Sequence, residues 1–276
     1  MRKWAIAALI LLLVGCVLAG ISLKVEGLDR FIANDEDYEK LEYVCRDAVE
    51  SVIIDDSDQD IEIIPATDGA CRLEYAEGKL DKYDISLENG VLRIERNARF
   101  GIFSFADFGT RVMRLYLPEG DYDKLRIDVS SGDVTVDEGF SFSDIVIELA
   151  SGDVNMKGVN AGNVEISAAS GGIGIVDVVA EDIELDTASG DIVMKNVAAS
   201  GKVEVETASG DVGFTGLDAG RIEIDTASGD VEGSVVKPME YRIDTASGDV
   251  DVPVSMRDAE VCRIETASGD IKIIEE

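Results

Sequence analysis

A four-residue corner, Ala-Ser-Gly-Asp or a close variant, returns down the C-terminal half of this sequence. The serine of each copy falls at Ser131, Ser151, Ser170, Ser189, Ser209, Ser228, Ser247 and Ser268, at spacings of 20, 19, 19, 20, 19, 19 and 21 residues. A fixed period of about 20 residues marks a stacked repeat. In Ile183-Glu184-Leu185-Asp186-Thr187 the apolar and β-branched residues alternate with acids, the period of a half-buried strand. Ala188-Ser189-Gly190-Asp191 is a corner, because Gly tolerates positive φ and Ser and Asp bond nearby amides. Ile192 and Met194 then resume the alternation, and Val197 supplies a further inward contact. One copy holds two short strands and two turns, and cannot bury its apolar side alone.

Stacking in register places like over like. One inward column reads Val129, Leu149, Ala168, Thr187, Thr207, Thr226, Thr245, Thr266, and the column after the corner reads Val134, Val154, Ile173, Ile192, Val212, Val231, Val250, Ile271. Columns spaced by ~4.8 Å are what a β-solenoid requires. The expected fold is therefore all-β: a solenoid, resembling a right-handed β-helix, of ~19–20-residue repeats stacked in chain order. The alternative is antiparallel hairpins packed in a sandwich, with Ser-Gly-Asp closing each hairpin. Gly132, Gly152, Gly190, Gly210, Gly229, Gly248 and Gly269 are the structural residues of the corners, with Gly190, Gly210 and Gly229 expected at positive φ. The threonines of the inward column are expected to satisfy one another's hydroxyls along the stack.

The N-terminus carries Arg2 and Lys3, then Trp4 to Leu23 without a charge. That length spans a bilayer core as a helix, and the flanking cations set the N-terminus inside. An uncleaved anchor over residues 1–23 is the first reading. A cleaved signal peptide is the second. The third is a lipoprotein, because Leu13-Val14-Gly15-Cys16 fits a lipobox with Cys16 as the acylated residue. Residues 24–47 read as an acidic linker or stalk, and 48–276 as the β-repeat domain. Within the latter, strand signals run from Val49 to Ile54, Ile61 to Ile64, Arg72 to Tyr75, Tyr83 to Leu87 and Val91 to Glu95, and Asn89-Gly90 reads as a hairpin turn. Residues 97–111 break the rhythm and hold Phe100, Phe103, Phe105 and Phe108. They read as an irregular cap on the stack, or as an aromatic loop that touches a partner.

The apolar N-terminal run, the irregular strand-rich region, Leu115-Tyr116-Leu117-Pro118 and the repeated Ser-Gly-Asp-Val together resemble the DUF4097 type of bacterial adhesin-like family. The resemblance covers nearly everything beyond residue 48. It implies an all-β repeat facing the cell envelope, often on a single membrane helix, and it brings no catalytic residues. The copy at Ser170-Gly171-Gly172 departs from the pattern by losing its Asp.

The chain has no His, which removes imidazole bases, Ser-His and Cys-His pairs and His metal sites. Of the four cysteines, Cys16 lies in the apolar run. Cys45 and Cys71 are the only pair close enough to suggest a bridge, the alternative being unpaired, partly buried thiols. The corner acids Asp133, Asp153, Asp191, Asp211, Asp230, Asp249 and Asp270 form a column whose members repel by roughly 1 kcal/mol per pair in water. Turn amides offset that repulsion; a calcium ladder is the alternative, although the nonapeptide of calcium-binding β-rolls is absent. No metal, cofactor or catalytic residue is expected.

A net charge of -32 argues against nucleic acid as a partner and against lying flat on an anionic membrane; it reads first as a solvated charged face, with cationic partners or ions as the alternative. Residues 131–276 hold nine basic against 31 acidic residues. A polysaccharide-active β-helix enzyme, which would want Arg or Lys beside acidic sugars, is the remote reading. The chain is expected to be a non-enzymatic module on the outer side of the cell membrane, held by its N-terminal helix and meeting a protein or glycan ligand at the cell surface. The alternative is an accessory that senses or signals envelope stress.

Overall fold

A computed structural model describes residues 38–78, 81–98 and 111–276. The expected anchor, the Cys16 lipobox and most of the cap at 97–111 lie outside them. No helix among the described residues is long and apolar enough to cross a membrane.

The described residues are all-β. The first third contains β1 (Glu39–Val44), β2 (Ser51–Asp56), β3 (Asp60–Pro65), β4 (Arg72–Glu77), β5 (Asp81–Glu88), β6 (Val91–Ala98) and β7 (Val112–Leu117). The regular part opens with β8 (Gly120–Val129), β9 (Val134–Val136), β10 (Phe140–Leu149), β11 (Val154–Lys157), β12 (Asn160–Ala168), β13 (Ile173–Val176), β14 (Val179–Ala180), β15 (Asp182–Thr187) and β16 (Ile192–Lys195). It continues through β17 (Ala198–Thr207), β18 (Val212–Thr226), β19 (Val231–Val235), β20 (Glu240–Thr245), β21 (Val250–Asp251), β22 (Val261–Thr266) and β23 (Ile271–Glu275).

Each corner carries the chain from a longer strand in one sheet to a shorter strand in the other. In the first sheet β8, β10, β12, β15, β17 and the end of β18 pair in parallel, one repeat apart. In the second, β9, β11, β13, β16 and the start of β18 do the same. The corners therefore do not close hairpins. In the 20-residue repeat from Ser189 to Ser209 the extra residue is absorbed as a register shift between Ala199 and Lys202.

The inner faces of the two sheets form the core. Ile183, Leu185 and Ile192 of one repeat lie at or below 1% exposure, over Val203, Val205 and Val212 of the next. Burying such side chains stabilises by about 1.5–3 kcal/mol each, and this term drives the stacking. Tyr122, Phe140 and Phe142 fill the core near the first regular repeats.

Rungs do not follow one another in chain order at either end. β2 lies between β6 and β8, and β3 between β7 and β9. At the far end β22 lies between β18 and β20, and β23 between β19 and β21. The final Ser-Gly-Asp copy is thus an interior rung, and the copy at Ser247 is terminal. This corrects the expected stacking in chain order. The copies share one pattern of inward residues, so any of them can sit on any other.

One smaller expectation changes and two hold. Residues 39–44, inside the stretch read as a linker, form β1, which pairs antiparallel with β4. Cys45 and Cys71 at the end of that pair are disulfide-bonded, and Cys262 is unpaired and buried. The Asn89-Gly90 turn joins β5 and β6 as a hairpin, with both residues at positive φ (52° and 78°), the geometry that matches strand twist.

Candidate functional site

The corner glycines are required by close approach. A Cβ on Gly190 would overlap the carbonyl oxygen of Gly171, one on Gly210 that of Gly190, and one on Gly229 that of Gly210. Gly132 and Gly152 meet the carbonyls of Gln59 and Gly132, and Gly269 and Gly248 those of Gly229 and Gly269. Gly229 has φ 154°, at the border of the left-handed region, whereas Gly190 and Gly210 fall outside the positive-φ set. The expectation of a common positive φ is therefore corrected. Stacked backbones pack carbonyl against Cα, leaving no room for a side chain.

The corner acids bind across rungs. The carboxylate of Asp133 accepts the N–H of Asp153 at 2.8 Å, Asp153 that of Gly172 at 2.7 Å, Asp191 that of Asp211 at 2.9 Å and Asp211 that of Asp230 at 2.8 Å. Asp230 accepts from Asp270 and Asp270 from Asp249, both at 2.8 Å, which repeats the rung order of the sheets. Charge-assisted bonds of this kind offset the repulsion along the column. Among the described residues no group of three or more His, Cys, Asp or Glu is placed to hold a metal ion.

The inward threonines are stacked in register but do not bond one another. Thr187 donates to the carbonyl of Gly171 at 3.2 Å, while the hydroxyls of Thr207, Thr226 and Thr266 are buried without a partner. The expected hydroxyl ladder is corrected: register brings the threonines into one column, but no hydroxyl of that column bonds the next.

The surface feature of this molecule is the outer face of the first sheet. Alternate residues of its strands point outward, so register turns them into columns. One column reads Asp186, Glu206, Asp225, Glu265, Asp244 in spatial order, and its neighbour holds Glu165, Glu184, Glu204 and Glu223. Beside the first column run Ala188, Ala208, Ala227, Ala267 and Ala246, and together they line an open groove of about 810 Å³. Arg263 pairs with Asp225 at 3.2 Å and Arg221 with Glu223 at 2.6 Å, while Lys202 pairs with Glu204. Among the described residues no Lys or Arg lies in ion-pair range of Glu184, Asp186 or Glu206. Burial, followed by repulsion from Glu184, Glu206, Glu204 and Glu165, pushes the Asp186 carboxyl up to about 6.

A second polar cluster escaped the sequence reading. Asp56 occupies the place that Val129 holds in the next rung, and is buried. Its carboxylate accepts the N–H groups of Ser57 and Asp58 at 2.6 and 2.9 Å and the hydroxyl of Tyr83. Gln59 donates to the same Tyr83 oxygen at 2.8 Å. Arg96 grips Asp81 with two nitrogens and also reaches Asp58, which Arg111 meets at 3.0 Å. Burial, then the charge of Asp56, raises the Tyr83 hydroxyl far above its ordinary range, so it is a donor and not a base. The cluster braces the irregular end of the stack.

Two facing sheets of parallel rungs, glycine-packed corners and an acidic outer face define a stacked β-repeat protein. Residues 49–274 match the family described as Toastrack DUF4097, and the chain belongs to that family. Its fold is shared with the crystal structure of a candidate adhesin from Bacteroides fragilis, 14% identical, with 88% of this chain and 100% of the other covered at a TM-score of 0.55. A candidate adhesin from Parabacteroides distasonis is 15% identical over 87% of this chain and 98% of its own, at a TM-score of 0.57. No curated protein matches.

Proposed function

We propose that the chain is a non-enzymatic, adhesin-like interaction module, anchored by residues 4–23 and facing out of the cytoplasm. It meets a protein or glycan ligand that carries positive charge. The observation that supports this reading is the five-rung carboxylate column beside the alanine-floored groove. A repeated surface of one sign attracts opposite charge over its whole length and raises the rate of encounter. The names of the two structural relatives agree with a surface role. The fold class offered for this function is a solenoid-like stack whose end rungs are re-threaded. The polysaccharide-active reading finds no support in the groove, whose acids recur rung after rung on one open face.

The test is retention of a lysine-rich peptide by the full-length protein, compared with a Glu184→Gln, Asp186→Asn, Glu206→Gln variant. Weaker, less salt-sensitive retention with an unchanged or higher melting temperature is expected; equal retention would overturn the reading. An envelope-stress sensor would use the same acidic face for cationic peptides, and a transcriptional response to deletion that the triple variant fails to restore would favour it. Intact mass after membrane extraction decides the anchor: loss of the first 15 residues with lipid on Cys16 would mean a lipoprotein instead.

A further inference from the structure

The outermost strands of the stack are β20 and β21 at one end and β1 and β5 at the other, and they differ in what the chain itself lays against them. β20 is closed: the Tyr241 N–H is taken by the Ser255 hydroxyl, and the Met239 carbonyl by the Met256 N–H, both at 3.0 Å. Its neighbour β21 is only Val250–Asp251. At the irregular end β5 is closed over its first half. Glu77 takes the Tyr83 N–H at 2.9 Å, and the Asp81 carbonyl takes the Gly78 N–H at 3.0 Å. β1 is open along its whole length among the described residues. It pairs only with β4, and its side chains make no hydrogen bond or ion pair there.

The open edge has a defined set of donors and acceptors. Just past β1 the Cys45 N–H is taken by the Cys71 carbonyl at 3.0 Å, so it faces β4. Backbone groups alternate sides along a strand. Those of Tyr43 and Leu41 therefore also face β4, and those of Lys40, Glu42 and Val44 face away. The side chains of these last three are exposed on the outer face of the second sheet, Val44 at 54%. Leu41 and Tyr43, on the inner face, are half-buried.

We infer that β1 is the seam of a two-fold dimer with a second copy of this chain, paired antiparallel about Leu41. Charge selects the register. An isologous pairing places each residue opposite its mirror position about the axis. With the axis at Leu41, Lys40 of each copy stands opposite Glu42 of the other. That gives two complementary side-chain pairs, at the same two positions whose free backbone groups exchange hydrogen bonds. Leu41 then meets its own copy on the inner face. With the axis at Glu42, Glu42 opposes itself; with the axis at Tyr43, it opposes Val44. Neither register joins unlike charges. Self-pairing of β5 through Ile85 and Leu87 sets Asp84 against Glu88, which like-charge repulsion disfavours. A lysine within an edge strand ordinarily guards it against pairing. Here the mirror position of Lys40 holds the acid that answers it. The distribution of charge favours the same end. Residues 1–130 hold 16 of the 25 basic residues, while 131–276 hold nine against 31 acids, so two copies repel least where their irregular ends meet.

The test is sedimentation of the full-length chain in detergent, for the natural sequence, Lys40→Glu, Glu42→Lys and the double exchange. Both side chains are exposed, so melting temperatures should stay together. The natural chain is expected to dimerise, each single reversal to weaken the dimer at least tenfold, and the double exchange to recover it. Mild oxidation locates the axis. Leu41→Cys should link two chains on a non-reducing gel, and Val44→Cys, more exposed but distant from its own copy, should not. A natural chain that stays monomeric, or a dimer indifferent to both reversals, would overturn the inference. So would a dimer that links through Val44→Cys and not through Leu41→Cys.

Discussion

Asp186 stands among four glutamates with part of its carboxyl withdrawn from water, and its proton affinity rises accordingly. The folded value, about 6, lies above the ordinary 3.8. The stability linked to this group is therefore full below about pH 4 and is lost as pH rises through about 6. Asp186→Asn should raise the melting temperature at neutral pH and flatten its dependence between about pH 4 and 6; thermal melts across that window measure it. Thr226 presents the neutral version of the same conflict. Its hydroxyl is buried without a partner, and such a group costs about 1–3 kcal/mol. Thr226→Val keeps the shape and removes the polar atom, so denaturant unfolding should show a gain of up to about 1 kcal/mol.

Strands and corners differ in how openly they show themselves in the amino-acid order. The alternation in Ile183 to Thr187 and the recurrence of Ser-Gly-Asp carry both the strand and its register, because period and inward spacing are local properties of the chain. Asn89-Gly90 announces its hairpin for the same reason. The brace around Asp56 does not, because Tyr83 and Arg96 reach Asp56 from 27 and 40 positions away, Arg111 reaches Asp58 from 53, and no local rule brings them together. The corner glycines were visible, but their reason was not: the obstacle to a side chain at Gly210 is the Gly190 carbonyl of another rung. β1 was hidden by its acidic composition and is held by β4 and by the Cys45–Cys71 bond. That bond closes a loop over a sequence separation of 26, a constraint worth about 2–4 kcal/mol. Cys45→Ser should speed hydrogen exchange in residues 39–44, while the rungs from β8 onward keep their protection.

For the molecule as a whole, spatial order and chain order part company at both ends. Each interior rung has two interfaces to lose and a terminal rung has one. Gly269, in the last copy by sequence, sits between the rungs of Gly229 and Gly248. Gly269→Ala should therefore destabilise by more than Gly248→Ala, with about 1–3 kcal/mol expected for the overpacked interior site; paired thermal melts give the comparison. A greater loss at Gly248 would mean that stacking follows the chain after all. The re-threading also governs the moment at which the domain can close. When β20 and β21 leave the ribosome, the surface they will rest on does not yet exist, because β22 and β23 have still to be made. At the opposite end β2 waits in the same way for β6 and β8. The middle rungs can zip as they emerge, but both ends stay open until later segments slide into them. The far end of the domain is thus able to lock only once β22 and β23 have been made.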